Sequence, residues 1–233
     1  LHTTEAGGTA TFTVRLARFP SKTLTVTLAS TNTFEGTVAP ATLDFGPTDF
    51  DKPQTVTVTG VDDLRADGPV PYVVQVAGEN LDEADVQVTN DDDDSPGALV
   101  TPTSGLMTTE AGGQATFTVA LTAQPNADVV IPIATSDLTE GTVDTGTLAF
   151  TAQNWNAPQT VTITGIDDAI ADGPIAYAIA LSAMQSSDPA FAAIDPDDVS
   201  VTNIDNDSPG FLVTPTSGLQ TTEAGGTATF TVV

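Results

Sequence analysis

The chain has 233 residues, of which 31 are acidic and 5 basic, giving a formal net charge of −26 and a pI near 4.1. Phosphate contacts require Lys and Arg, so nucleic acid and anionic membrane surfaces are poor partners, and soluble cations are the natural counterpart. There is no cysteine, which excludes a disulfide framework and a thiolate metal site, and no stretch approaches the roughly 18–20 apolar residues of a membrane-spanning helix.

From the N-terminus, "LHTTEAGG" shows no initiator Met, basic segment or apolar segment of a signal peptide, and reads as an excerpt from a longer polypeptide. "TATFTV" (9–14) then places Ala10, Phe12 and Val14 on one face and Thr9, Thr11 and Thr13 on the other. The same period of two runs through "TLTVTL" (23–28), "QTVTVTG" (54–60), "PYVVQV" (71–76) and "DVQVTN" (85–90). Thr and Val suit a pleated, half-buried surface, and Gly, Pro, Asp and Asn punctuate the runs. No segment carries a convincing helical period.

The pattern then starts again. "TTEAGGTATFTV" begins at Thr3, "TTEAGGQATFTV" at Thr108 and "TTEAGGTATFTV" at Thr221, at intervals of 108 − 3 = 105 and 221 − 108 = 113 residues. The difference of 8 is located between Tyr177 and Asp207, which are 30 apart where Tyr72 and Asp94 are 22 apart. It predicts an extra loop within "MQSSDPAFAAIDPDD" (184–198). "EGTV" (35–38, 140–143) and "LVTPTSGL" (99–106, 212–219) also recur. Short strands in units of this size predict an all-β chain of tandem Ig-like antiparallel β-sandwiches, about seven strands per repeat. Residues 1–96 form a first repeat lacking its first strand, 97–209 a complete second repeat, and 210–233 the first two strands of a third. Trp155 and most Phe residues are expected in the sandwich cores or at their edges. Either the chain is a window on a tandem array, or "FLVTPTSGL" (211–219) supplies a strand to a neighbour's first repeat by β-augmentation.

Acidic residues recur beside the strands. Glu5 and Glu110 lie in "TTEAGG", Asp62, Asp63 and Asp67 in one "DDxxxDG" and Asp167, Asp168 and Asp172 in the other. The closing runs are "NDDDD", holding Asp91 to Asp94, and "NIDND", holding Asp205 and Asp207. If these loops share one end of a sandwich, several carboxylates meet in a small volume. Two of them about 4 Å apart repel by on the order of 4 kcal/mol at an effective dielectric of about 20. A hard divalent cation reverses that sign, since Ca²⁺ takes carboxylate and carbonyl oxygens. A single "DG" signals only a turn; the recurrence of all three clusters is what points to a cation.

A Glu between the first strands, a "DDxxxDG" loop and a closing "V-T-[DN]-x-D-[DN]-D" together resemble the Calx-beta domain, known from the sodium–calcium exchanger and large bacterial surface proteins. The resemblance spans essentially the whole chain. It implies a seven-stranded Ig-like sandwich with Ca²⁺ in the loops at its distal end. The first site would use Glu5, Asp62, Asp63, Asp67, Asp92 and Asp94, and the second Glu110, Asp167, Asp168, Asp172, Asp205 and Asp207. Asp137 holds roughly the place of a further family carboxylate, where the first copy has Asn32. Ile204 and Asn206 interrupt the second closing run, and Pro69 or Pro174 follows each "DG" where the exchanger carries more acids, so fewer ions are implied. Glu223 has no partner loops in this chain and is not expected to bind alone.

Enzymatic chemistry is not expected. The one histidine, His2, is read as a bystander, and no G-x-S-x-G, H-E-x-x-H or P-loop occurs. The EF-hand spacing is absent too. The expected function is a Ca²⁺-stiffened extracellular or cell-surface rod, fibre or adhesin stalk. Its partners would be neighbouring repeats of the same chain and, by self-assembly into filaments, other copies, with no nucleic acid and no membrane insertion. The alternatives are a polysaccharide- or protein-binding module of a secreted protein and a Ca²⁺-sensing interdomain switch.

Overall fold

In a computed structural model describing residues 1–233, every regular element is a β-strand. The first repeat contributes β1 (His2–Thr4), β2 (Thr9–Val14), β3 (Leu24–Ser30), β4 (Gly36–Ala39), β5 (Thr42–Phe45), β6 (Gln54–Gly60), β7 (Val70–Gly78) and β8 (Ala84–Asp91). They form two sheets, β1-β8-β7-β3-β5 and β2-β6-β4. Alternation does its expected work: in β6 Val56 and Val58 are fully buried, while the threonines between them face outward.

The second repeat repeats this plan with more strands: β9 (Ala98–Thr101), β10 (Leu106–Thr109), β11 (Gln114–Leu121), β12 (Val129–Thr135), β13 (Gly141–Val143), β14 (Thr147–Phe150), β15 (Gln159–Gly165), β16 (Ile175–Leu181), β17 (Gln185–Ser186) and β18 (Val199–Ile204). One sheet runs β10-β18-β16-β12-β14, with β17 also on β12, and the other runs β13-β15-β11-β9. The segment "LVTPTSGL" is thus one strand that changes sheets. Leu99–Thr101 pairs antiparallel with β11, Gly105 turns with φ of 78°, and Leu106–Thr109 pairs parallel with β18. In the first repeat β1 pairs parallel with β8 in the same way. These two parallel pairings are a feature that alternation alone does not reveal, because a period of two says which side chains share a face and nothing about direction.

The two cores are unequal. The first is a cluster of 10 buried residues around Val26, Phe45, Val56 and Val74, and the second a cluster of 20 around Phe117, Phe150, Ile163 and Phe191. Two of the additional residues come from the eight-residue insertion, which is a plug rather than a surface loop. Its Met184 and Phe191 are buried in the second core, and buried Asp188 caps it by accepting the N–H groups of Asn126 (2.7 Å) and Ala190 (3.0 Å). Trp155 packs partly buried on that core, whereas Phe19, Phe34, Phe211 and Phe230 are exposed. Beyond the second repeat, β19 (Val213–Thr214) and β20 (Thr231–Val232) pair with each other alone.

Candidate metal centres

Each acidic loop begins or ends on a strand that cannot move independently. The N–H of Glu5 follows β1 and donates to Asp91 O at the end of β8 (3.0 Å); Glu110 does the same to Ile204 O (3.1 Å). The parallel pair therefore delivers the "TTEAGG" glutamate and the closing aspartates to one place. The "DDxxxDG" loop is fixed to them by Gly68, whose N–H donates to Asp92 Oδ2 (2.6 Å), and by Gly173, which donates to Asp205 Oδ2 (2.6 Å). Both glycines have φ near +80° (74° and 81°), a conformation that a side chain would strain. Gly60 and Gly165 let the strands close up here, since a Cβ on either would strike Thr4 O or Thr109 O and the amide of Asn90 or Asn203.

The result is a set of carboxylate groups whose oxygens lie within 4.8 Å of one another: Glu5–Asp92–Asp94, Glu5–Asp62–Asp93 and Glu35–Asp63–Asp67 in the first repeat. The second repeat has Glu110–Asp205–Asp207 and Glu140–Asp168–Asp172. Twelve of the thirteen acids singled out in the sequence lie at these loops. Asp167 is among them through its contact with Asn206, which takes the place of Asp93 and donates Nδ2 to Asp167 Oδ1 (3.1 Å) and its backbone N–H to Glu110 Oε2 (3.0 Å). Asp137 is not brought in. Its Oδ1 accepts the N–H (2.9 Å) and hydroxyl (2.6 Å) of Thr139, which closes a turn and lowers its pKa. Asn32 caps the equivalent turn through Phe34 N–H (3.1 Å).

The carboxylates that reach the cluster from this turn are Glu35 and Glu140, three residues further on and buried. Sequence reasoning registered "EGTV" as a repeat without assigning its acid. The signal was present: a glutamate recurring before a glycine in both copies. That glycine is required, because a Cβ at Gly36 or Gly141 would overlap the ring of Tyr72 or Tyr177. Asn90 and Asn203, also unassigned, organise this layer. Asn90 accepts from Thr3 Oγ1 (2.9 Å) and donates to Val61 O (3.0 Å) and Glu35 Oε2 (3.4 Å); Asn203 repeats the set. Asp93 belongs to the first cluster as well.

Negative charge dominates these sites, offset at Asp67 alone by Arg65 of the same loop. Burial, then Asp92 and Asp63, pushes Glu5 up to about 7. Burial is also the main cause raising Glu35, Asp67 and Asp94. For Glu110 the Asn206 N–H pulls downward, but burial and the charges of Asp205, Asp168 and Asp207 outweigh it and the net shift is upward. Asp205 is lowered by the N–H groups of Asp207 and Gly173. Three oxygens are buried with no hydrogen-bond partner: Glu5 Oε2, Asp94 Oδ2 and Asp207 Oδ2. Buried carboxylate oxygens are normally paired. An acceptor-only set of this kind fits a hard cation that takes oxygen ligands.

The first repeat's loop also touches the second repeat. Leu64 O accepts from Gln124 N–H (2.6 Å), Arg65 Nε donates to Gln124 Oε1 (3.4 Å), and Ala66 is counted within the second core. A cleft of about 450 Å³ opens there, lined by Phe34, Glu35, Asp63, Arg65, Asp67 and Gln124 among others. The matching Ala171 is exposed.

Fold and site thus define a chain of tandem β-sandwiches with acidic loop clusters at one end of each. Comparison with solved structures finds similar chains at low identity. One is the calcium binding domain CBD12 of CALX1.1, 12% identical, covering 86% of this chain and 96% of that one with a TM-score of 0.42. The apo-form Calx CBD1 domain is 19% identical, covering 48% and 99%, TM-score 0.39. Domains 4 and 5 of the S-layer protein SbsC are 18% identical, covering 77% and 70%, TM-score 0.35. No family model matches the sequence, and no curated protein matches it.

Proposed function

We propose that each repeat binds Ca²⁺ in its acidic loops and that the ions make the chain a stiff, extracellular or cell-surface structural element, as in a fibre or adhesin stalk. The observation carrying this is the orphaned oxygen of Glu5, a side chain 2% exposed, set among carboxylates of two other loops. The Calx-beta-like motifs point the same way. Glu5, Asp92 and Asp94 with Asp62 and Asp93 would hold one ion, and Glu35, Asp63 and Asp67 a second. Glu110, Asp205, Asp207 and Asp167 would hold the first ion of the second repeat, where Asn206 offers an amide oxygen in place of a carboxylate. Glu140, Asp168 and Asp172 would hold the other. Because the ion binds the folded arrangement, its binding energy adds to stability.

Replacing Asp167 and Asp168 together by Asn tests this. Melting in Ca²⁺ is expected to fall while melting in EDTA stays nearly unchanged. Equal losses in both conditions would make these residues turn formers only. The contact between the Asp62–Gly68 loop and Gln124 also supports a second reading, a Ca²⁺-dependent change of interdomain angle. Affinity separates the two: sites of about 10⁻⁴–10⁻³ M suit a structural extracellular role, and sites of about 10⁻⁷–10⁻⁵ M a sensor.

A further inference from the structure

Behind each pair of carboxylate groups lies a buried layer of neutral polar side chains. In the second repeat it is built around Asn203, which is 1% exposed and faces Thr108 in the parallel register of β10 on β18. Its Oδ1 accepts from Thr108 Oγ1 (2.9 Å), and its Nδ2 donates to Ile166 O (3.1 Å) and Glu140 Oε2 (3.3 Å). A primary amide has two N–H groups, so both are in use. Burying an amide costs free energy that only its hydrogen bonds offset, so what those bonds join is the reason for the residue.

They join the acidic segments. Thr108 stands two residues before Glu110, Ile166 directly before Asp167 and Asp168, and Asn203 itself two residues before Asp205. Glu140 is a member of the second carboxylate group, and the bond from Asn203 is the one its carboxylate receives. A single side chain thus reaches both groups of the repeat. It meets Glu110–Asp205–Asp207 through β10 and its own strand, and Glu140–Asp168–Asp172 through Nδ2.

The layer has a direction and little slack. Thr108 has one hydroxyl proton and gives it to Asn203 Oδ1, which has none to give. The contact between Thr108 Oγ1 and the Tyr177 hydroxyl (3.3 Å) is therefore donated by Tyr177. Donors run from Tyr177 to Thr108 to Asn203 to Glu140, and each bond in such a chain polarises the next. Gly141 and Gly165 pack so closely on Tyr177 and Asn203 that neither has room for a Cβ. The first repeat holds the same layer in Tyr72, Thr3, Asn90 and Glu35, with Asn90 also bonded to Val61 O.

We propose that Asn203 and Asn90 are positioning residues that hold the two carboxylate groups of each repeat in one arrangement, so that the two ions of a repeat bind as a coupled pair. This rests on the cation binding proposed above and adds its regulation. An ion at Glu110–Asp205–Asp207 fixes β10 and β18, hence the amide, hence the Glu140 carboxylate that the second ion needs. By reciprocity the second ion favours the first.

Ca²⁺ uptake by the 233-residue chain, followed by calorimetry, is expected to rise more steeply than independent sites allow. Thr3→Val with Thr108→Val removes the hydroxyl from both layers, keeps the side chain's shape and touches no carboxylate. It should leave the number of ions unchanged, lower the affinity of one ion per repeat by about fivefold or more, and spread uptake into two steps. Thr3→Ser with Thr108→Ser keeps the hydroxyl and should restore the single steep rise. A role in packing alone predicts the reverse order, since Val fills the site and Ser does not. Tyr72→Phe with Tyr177→Phe, a milder cut at the head of the chain, should act as the Val pair does by a smaller factor. Melting in EDTA above the assay temperature verifies folding in each variant. Val and Phe variants that bind like the intact chain overturn the positioning role and leave the cation binding standing. So does a Ser pair that loses more than the Val pair, and so does uptake by the intact chain in independent steps. No uptake at all by the intact chain overturns the cation binding, and the coupling with it.

Discussion

Glu5 shows what a single residue can carry in this chain. Its backbone N–H is bonded to Asp91 O and its side chain is buried among the loop carboxylates, so without a cation burial favours its protonated form. Its pKa is raised from the ordinary 4.5 to about 7, so the unfolded chain releases a proton that the folded one retains. Without a divalent ion, stability is therefore expected to fall as pH rises from about 4.5 to about 7. Glu35, Asp67, Asp94 and Glu110 act in the same direction, whereas Asp137 and Asp205, lowered from 3.8, change stability with the opposite sign and only in more acid solution. Thermal melts in EDTA should thus give a higher midpoint at pH 5 than at pH 8. Ca²⁺ should raise the pH 8 midpoint most, because it displaces the proton it competes with. A Glu5→Gln variant should show a smaller pH difference; an undiminished one would place the proton elsewhere. Glu5 was legible in the sequence because "TTEAGG" recurs with a fixed acid. Glu35 was not, because its turn also offers Asn32 or Asp137 at a more conspicuous position, and only the close packing of Gly36 on Tyr72 shows which residue points inward.

Among the elements, the strands were readable wherever one face is buried, since alternation of Val or Phe with Thr leaves little choice of register. Two features were hidden. "LVTPTSGL" reads as one run but serves two sheets, and the residues that make it switch, Pro102 to Gly105, look like any turn. The insertion at 184–198 reads as an extra loop, yet two of its residues complete a core. Phe191 is fully buried and Met184 nearly so. Phe191→Ala is accordingly expected to destabilise the second repeat by about 3–5 kcal/mol, the usual cost of emptying an aromatic site. The first repeat, which lacks the insertion, should melt as before. Denaturant unfolding followed at Trp155, which packs on the same core, would measure the loss. A change below about 1 kcal/mol would mean that the loop relaxes out of the sandwich without consequence.

At the scale of the whole chain, the question is how a cation in one repeat affects the next. The Asp62–Gly68 loop bears ligand candidates on one side and packs on the second repeat with the other, through Leu64 O, Arg65 and the buried Ala66. Without an ion, Asp63 and Asp67 repel each other and Asp92, eased only by Arg65 of the same loop. That repulsion works against the loop shape that grips Gln124. An ion would remove it, and the "SPG" linker, with φ at Pro96 fixed, leaves few other ways for the repeats to swing. Small-angle scattering should therefore show a narrower distribution of interdomain angles in Ca²⁺ than in EDTA. Ala66→Asp separates the grip from the binding, because Ala66 faces the second core rather than the acidic cluster. In this variant Ca²⁺ uptake by calorimetry should persist while the narrowing in scattering is lost. If the distribution still narrows, stiffness arises in the linker alone, and the loop contact has no part in transmitting it.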